Sequence, residues 1–317
     1  MPTSSPLPRI VFMGTPAFAV PSLRALVAAG YPVVGVVTAT DKYGGRGGKK
    51  LLQSPVKTTA LELAIPVLQP KNLKSADFLR DLRALRADLQ VVVAFRMLPT
   101  AVWEMPRLGT FNLHGSLLPK YRGAAPINWA VINGEQETGA TTFFIQEAID
   151  TGDILLQHRM PIGPNETAGD VHDRMMVEGA ELVVRTVRLI ETGKFVLQQQ
   201  EDSRATPAPK LSREQSQIDW NRPVQEVHDF VRGLSPWPAA WTTLDGLQLK
   251  IIRSRVAPSS HQLAPGTVRM TDDGIRVACA DGYLEVMELQ LAGRKRMAAA
   301  DFVRGGQLVS GTILGQG

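Results

Sequence analysis

The chain has 317 residues, 44% of them hydrophobic and 21% charged, with a formal net charge of +5. That is a globular composition, which excludes disordered and collagen-like chains, and no apolar run reaches the roughly 18 residues of a membrane-spanning helix. Cys279 is the single cysteine, so an intrachain disulfide and a cysteine-based zinc site are excluded as well. Met1 to Pro8 carries neither a basic n-region nor an apolar h-region, so no secretory leader is expected and the reducing cytoplasm is the expected location.

Arg9 to Met13 reads as a strand, broken by Gly14-Thr15-Pro16. Ser22 to Ala29 reads as a helix with Ser22 at its N-cap and Gly30 at its end. Val33 to Thr38 is the next strand, Ser54 to Ala64 the next helix, Pro66 to Leu68 a short strand, and Ser75 to Ala87 a helix. Leu89 to Ala94 is apolar apart from Gln90, as a strand buried on both faces should be. Repeated β-α units with such strands predict an α/β fold, a Rossmann-like, doubly wound and mainly parallel sheet. Thr110 to His114 is a further strand. Ala140 to Gln146 and Ile154 to Pro161 are close enough to pair antiparallel. Thr167 to Thr192 is the longest helical pattern, stopped by Gly193.

Gln198 to Ser216 is polar, holds Pro207 and Pro209, and reads as a linker. Past a helix at Pro223 to Arg232, five short strand-like runs follow: Ala240 to Leu244, Gln248 to Arg255, Gly266 to Arg269, Gly274 to Cys279 and Tyr283 to Leu289. Turn signals such as Asp245-Gly246, Asp273-Gly274 and Asp281-Gly282 separate them, the pattern of a small, OB-like β-barrel. The expected division is therefore a catalytic domain at 1–197, a linker at 198–210 and a C-terminal β-barrel domain at 211–317.

Charge is concentrated in one place. Residues 41–57 hold Lys42, Arg46, Lys49, Lys50 and Lys57 against Asp41 alone, which points to an anionic partner as much as to a solvated loop. The run Tyr43 to Lys50 is not a P-loop, because Tyr43 holds the first glycine position and Lys50 the Ser/Thr position. Gly14 has no second glycine two residues on, so a dinucleotide fingerprint is absent too.

The densest polar segment is Phe111 to Pro126. If Thr110 to His114 is a strand, Asn112 and His114 share a face at its carboxyl end, where open α/β sheets place ligands. An amide and an imidazole there could bind a developing oxyanion, and the imidazole could move a proton. A carboxylate from the turn Ile149-Asp150-Thr151-Gly152-Asp153 would orient that imidazole; spacing alone leaves Asp150 and Asp153 both open.

Asn112 to Ile127 followed by Ile149 to Ile154 resembles the 10-formyltetrahydrofolate-dependent formyltransferases. Gly14 to Pro21, the basic loop Gly45 to Lys57, Ile218-Asp219-Trp220 and Pro236-Trp237-Pro238 are similar to the methionyl-tRNA formyltransferase branch of that family. The resemblance spans nearly the whole chain. It implies transfer of the formyl group of 10-formyltetrahydrofolate to the α-amino group of methionyl initiator tRNA, for translation initiation, with no metal. It implies Asn112 and His114 as oxyanion ligands, and Asp150 rather than Asp153 as the partner of His114. Ser116, Leu117, Leu118 and Pro119 match the folate-contacting segment. Phe95 to Leu98 matches the pterin-lining loop, one residue shorter and carrying Arg96. Arg46, then Lys49 and Lys50, are the expected tRNA contacts, with Arg294-Lys295-Arg296 a smaller basic cluster. A monomer is expected. The same Asn, His and Asp set is shared by enzymes that formylate an amino sugar nucleotide or hydrolyse formyl-folate. A tRNA-binding module without catalysis is the alternative from another class.

Overall fold

The computed structural model describes residues 7–44, 48–257, 259–271, 274–306 and 308–316. In chain order the first elements are β1 (Ile10–Gly14), α1 (Val20–Ala28), β2 (Val33–Val37), β3 (Lys42–Gly44), β4 (Lys50–Leu52), α2 (Pro55–Glu62), β5 (Val67–Leu68), α3 (Ala76–Ala84), β6 (Leu89–Val93) and α4 (Thr100–Trp103). Then come β7 (Thr110–His114), β8 (Arg122–Gly123), α5 (Pro126–Ile132), β9 (Glu137–Phe144), β10 (Ile154–Pro161) and α6 (Ala168–Thr192). The remainder is β11 (Pro207–Ala208), α7 (Val224–Leu234), β12 (Ala240–Leu244), β13 (Leu247–Ala257), β14 (Val268–Thr271), β15 (Gly274–Ala278), β16 (Tyr283–Leu291), β17 (Met297–Ala298) and α8 (Ala299–Arg304).

The chain forms two compact units. The first holds residues 1–122, 139–160 and 173–207; the second holds 123–138, 161–172 and 208–317. The first is built on a seven-stranded sheet in the order β10-β9-β7-β6-β1-β2-β5. β1 pairs in parallel with β2 and β6, and β6 in parallel with β7, while β7 pairs antiparallel with β9. The order steps outward from β1 in both directions, which is the doubly wound arrangement and puts the ligand crevice at the carboxyl ends of the strands. β1 and β6 are buried at every position, hence their apolar runs, interrupted in β6 only by the buried Gln90. On one face Val11, Met13, Val37 and Val92 pack with Phe78, Leu82, Leu98 and Val102.

Local signals explain most helix ends. The Ser54 and Ser75 side chains accept from Lys57 N and Phe78 N and cap α2 and α3. Gly30 and Gly193 end α1 and α6 with φ of +83° and +63°. Ser22 does not cap α1. The helix starts two residues earlier, with Pro21 in its first turn after a 3-10 turn at Ala17–Ala19, and Ser22 Oγ is buried inside it without a partner among the described residues. The basic segment, expected only as a loop, contains the antiparallel pair β3–β4.

The C-terminal strands of the second unit form an antiparallel sheet in the order β12-β13-β16-β15-β14, with β17 added to β16, and the unit also takes in residues 123–138 and 161–172. Val227, Val231 and Leu234 of α7 belong to one core with Leu249, Ile251, Val277, Leu284 and Val286 from the strands. Register shifts near Arg253 bend the long β13–β16 pair.

Candidate active site

The first unit assembles a site at the carboxyl end of β7. The pleat puts Asn112 and His114 on one face of that strand, with Leu113 on the other. β9 lies beside it, in register Asn112 to Phe143 and His114 to Thr141. His114 is buried and Asn112 half-buried. The imidazole meets the Phe143 ring edge-on, with centroids 6.5 Å apart.

Both ring nitrogens of His114 have definite neighbours. Nε2 lies 2.8 Å from the carbonyl oxygen of Tyr121. A carbonyl only accepts, so Nε2 carries a proton and donates it, leaving Nδ1 of the neutral ring with its lone pair. Nδ1 faces Asp150 Oδ2 at 3.6 Å, and both side chains are largely buried. That separation is too long for a hydrogen bond yet close enough for strong attraction once Nδ1 is protonated. Asp150, not Asp153, therefore stands opposite the histidine. Tyr121 and Asp150 both have left-handed backbone, with φ of +62° and +56°. Strain of this kind costs on the order of 1 kcal/mol and is found where a carbonyl or carboxylate must be aimed.

The loop from Gly115 to Tyr121 is held by residues that sequence reasoning did not single out. Thr141 Oγ1 donates to Ser116 O at 2.7 Å and accepts from Leu118 N at 3.1 Å. Gln157 Nε2 donates to Leu118 O at 2.9 Å and to Thr141 Oγ1 at 3.0 Å. Ser116 Oγ donates to Lys120 O at 2.6 Å. Ser116 to Pro119 thus form a pinned loop directly after the histidine. The Asn112 side chain has no hydrogen-bond partner among the described residues, so its amide is available to a ligand.

Phe95 to Leu98 follows β6. There Arg96 Nη1 donates to Lys71 O at 3.1 Å, Nη2 donates to Pro70 O, and the guanidinium lies 5.8 Å from the Phe95 ring centroid. Arg96 is thus a brace between two loops. A cavity of about 610 Å³ adjoins the Asp150 turn, lined among others by Gln146, Thr151, Asp153, Gln199 and Gln200.

Of the basic segment, Lys50 is exposed in β4, where it pairs with Gly44 of β3, Lys49 is exposed just before it, and Arg46 lies outside the described residues. Lys57 turns inward instead: its Nζ lies 2.5 Å from Asp41 Oδ2, and that bond, with another from Gln69, holds the Asp41 carboxyl below its usual range. In the second unit, Arg296 of the smaller cluster makes a two-pronged pair with Glu288. Among the described residues no group of three or more His, Cys, Asp or Glu could hold a metal ion, and no helix is long and apolar enough to cross a membrane.

Residues 8–187 match the family described as formyl transferase, and residues 210–307 the formyl transferase C-terminal domain. A methionyl-tRNA formyltransferase of Parabacteroides distasonis is 55% identical over 308 residues, covering 94% of this chain and 95% of its own. One of Bacteroides fragilis is 52% identical over 308 residues, covering 94% of each. The chain belongs to the methionyl-tRNA formyltransferase family. Its fold is also that of an N-formyltransferase from Helicobacter canadensis, solved in complex with folinic acid and dTDP-3-aminofucose. That structure has a TM-score of 0.66 at 19% identity and covers 88% of this chain and 98% of its own.

Proposed function

We propose that Asn112, His114 and Asp150 carry the transfer of a formyl group from 10-formyltetrahydrofolate to the α-amino group of methionyl initiator tRNA. The observation that carries this reading is His114, anchored through Nε2–H on Tyr121 O while Nδ1 faces Asp150 at 3.6 Å. The formyl donor supplies an electrophilic carbon and a nitrogen leaving group. The Asn112 amide, without a hydrogen-bond partner among the described residues, donates to the oxygen on which negative charge develops. His114 Nδ1 takes the proton of the attacking amine, Asp150 stabilises the resulting imidazolium, and Nδ1 returns the proton to the leaving nitrogen. The anchor on Tyr121 keeps the ring in one tautomer throughout.

Ser116, Leu117, Leu118 and Pro119 hold the folate on this reading, because their loop is fixed next to His114 by Thr141 and Gln157. Arg46, Lys49 and Lys50 contact the phosphates of the acceptor arm, a salt-sensitive interaction. Residues 1–197 form the catalytic domain, 198–210 a linker, and 211–317 a β domain that assists tRNA binding. The enzyme works as a monomer in the cytoplasm.

The test is a formyl-transfer assay with 10-formyltetrahydrofolate and, in parallel, methionyl initiator tRNA, unacylated tRNA and an amino sugar nucleotide. Product should form on methionyl-tRNA alone. His114→Ala should lower kcat by about 10²- to 10⁴-fold. Near-normal turnover in that variant, or formylation of the sugar only, would overturn the reading.

A further inference from the structure

Gln200 lies 50 residues from the Asp150 turn in sequence and is 8% exposed. It arrives there through a short antiparallel bridge, in which Ile154 N donates to Gln198 O at 2.8 Å and Gln198 N to Ile154 O at 3.1 Å. Gln200 follows two residues on. Its Nε2 donates to Asp150 O at 2.9 Å and to Gly152 O at 2.8 Å. Its Oε1 accepts from Arg122 Nε at 3.1 Å and Arg122 Nη2 at 2.8 Å. Both amide hydrogens and both lone pairs are therefore used. Only one orientation of the amide satisfies all four partners, since two of them only accept and two only donate. The guanidinium is steadied in turn by Asp202, at 2.9 Å from Arg122 Nη1.

These partners connect the two supports of His114. Asp150 provides the carboxylate opposite Nδ1, and Gln200 grips the backbone carbonyls of that turn. Tyr121 provides the carbonyl that anchors Nε2, and Arg122 is the next residue in the chain, itself pinned by Arg122 N donating to Thr206 O at 2.9 Å. We infer that Gln200 is a positioning residue for formyl transfer: through one saturated amide it sets the distance between the Asp150 carboxylate and the imidazole. The inference rests on the catalytic roles proposed above for His114 and Asp150.

Gln200→Glu tests it. The change keeps the side chain's shape and its bond to Arg122 but turns an oxygen toward two carbonyl oxygens, so the Asp150 turn must shift. Misplacing a catalytic group by about an ångström costs up to roughly 100-fold. A fall in kcat of about 10- to 100-fold is expected, with KM for methionyl-tRNA and binding of folinic acid both within about threefold of wild type. Gln200→Met, which removes both sets of bonds without adding charge, should show the same kcat-selective loss. In an Asp150→Asn background Gln200→Glu should cost less than about twofold more, because both changes act through one carboxylate. Wild-type kcat in Gln200→Glu alongside an inactive Asp150→Asn would overturn this inference and leave the catalytic assignment standing. A fully additive double variant, or a loss confined to KM, would do the same. Wild-type turnover in Asp150→Asn would overturn both.

Discussion

Replacing Thr141 with valine keeps the volume of a fully buried side chain and removes only its hydroxyl. That hydroxyl donates to Ser116 O at 2.7 Å and accepts from Leu118 N at 3.1 Å and Gln157 Nε2 at 3.0 Å. Gln157 keeps a second acceptor in Leu118 O at 2.9 Å and so stays satisfied. The Ser116 carbonyl and the Leu118 amide lose their bonds to the hydroxyl. A buried polar group left without a partner costs about 1–3 kcal/mol, and the isosteric methyl leaves no cavity to add to it. The expected loss of stability is about 2–6 kcal/mol, with a fall in Tm of roughly 5–15 °C. Urea denaturation should show it as a lower midpoint at unchanged slope. Since the freed loop is the one that follows His114, kcat should fall as well. Thr141→Ser, which restores the hydroxyl, should recover most of both. A Thr141→Val enzyme within about 0.5 kcal/mol of wild type would refute the claim that this hydroxyl holds the loop.

Gly152→Ala would place a methyl carbon 1.6 Å from the Phe144 carbonyl oxygen, a backbone contact that cannot yield locally, so the turn carrying Asp150 must move. At least about tenfold lower kcat is expected in the formyl-transfer assay; normal turnover would show that the turn tolerates displacement. His228 is buried in the second unit, with Nε2 donating to Pro164 O at 3.0 Å and Nδ1 accepting from Ser254 Oγ at 2.9 Å. Burial, aided by the Arg232 charge and opposed by Asp229 and the Pro164 bond, pushes its pKa below the ordinary 6.5. The unfolded chain therefore gains a proton near pH 6.5 that the folded one refuses. Its contribution to stability is complete above that pH and declines as pH falls toward the folded value. Unfolding titrations should show this slope below about pH 6.5 and lose it in His228→Gln, and an identical slope in the variant would count against it. Cys279 is fully buried, and desolvation pushes its thiol up to about 12. It should resist thiol reagents in the native enzyme and react in urea; rapid native labelling would contradict its placement.

Sequence patterns revealed those parts of the fold whose causes are local or periodic. The apolar run at β6, broken only by Gln90, follows from burial on two faces, and the caps at Ser54 and Ser75 from bonds spanning three residues. Ser22 misled because Pro21 and the preceding 3-10 turn begin the helix before it. The pairing of β3 with β4 was hidden by a segment rich in glycine and lysine, which carries no alternating pattern. In the site, strand alternation was enough to join Asn112 to His114. The choice of Asp150 over Asp153 needed the family resemblance, because a turn's spacing does not say which carboxylate points inward. Thr141, Gln157 and Gln200 were illegible for a different reason. Each is a common polar residue that acts 25 to 50 positions away, and nothing in its immediate neighbours marks it as buried.

The illegible residues share one property that bears on the chemistry. On the proposed mechanism His114 accepts a proton and then returns it, so it has to keep one tautomer and a nearly constant distance to its carboxylate. Neither condition follows from having Asn112, His114 and Asp150 in the chain. The tautomer follows from the Tyr121 carbonyl, which strained backbone directs at Nε2. The distance follows from supports on either side. Thr141 and Gln157 hold the loop that leads to Tyr121, and Gln200 with Arg122 holds the Asp150 turn. Thr141 lies in β9, Gln157 in β10 and Gln200 beside β10, at the antiparallel edge of an otherwise parallel sheet. An antiparallel strand next to β7 can place side chains directly opposite His114, as Thr141 is, whereas a parallel neighbour would need a long crossover to reach the same position. The reversed edge of the sheet is therefore the element that gives the proposed His114–Asp150 proton relay its fixed geometry.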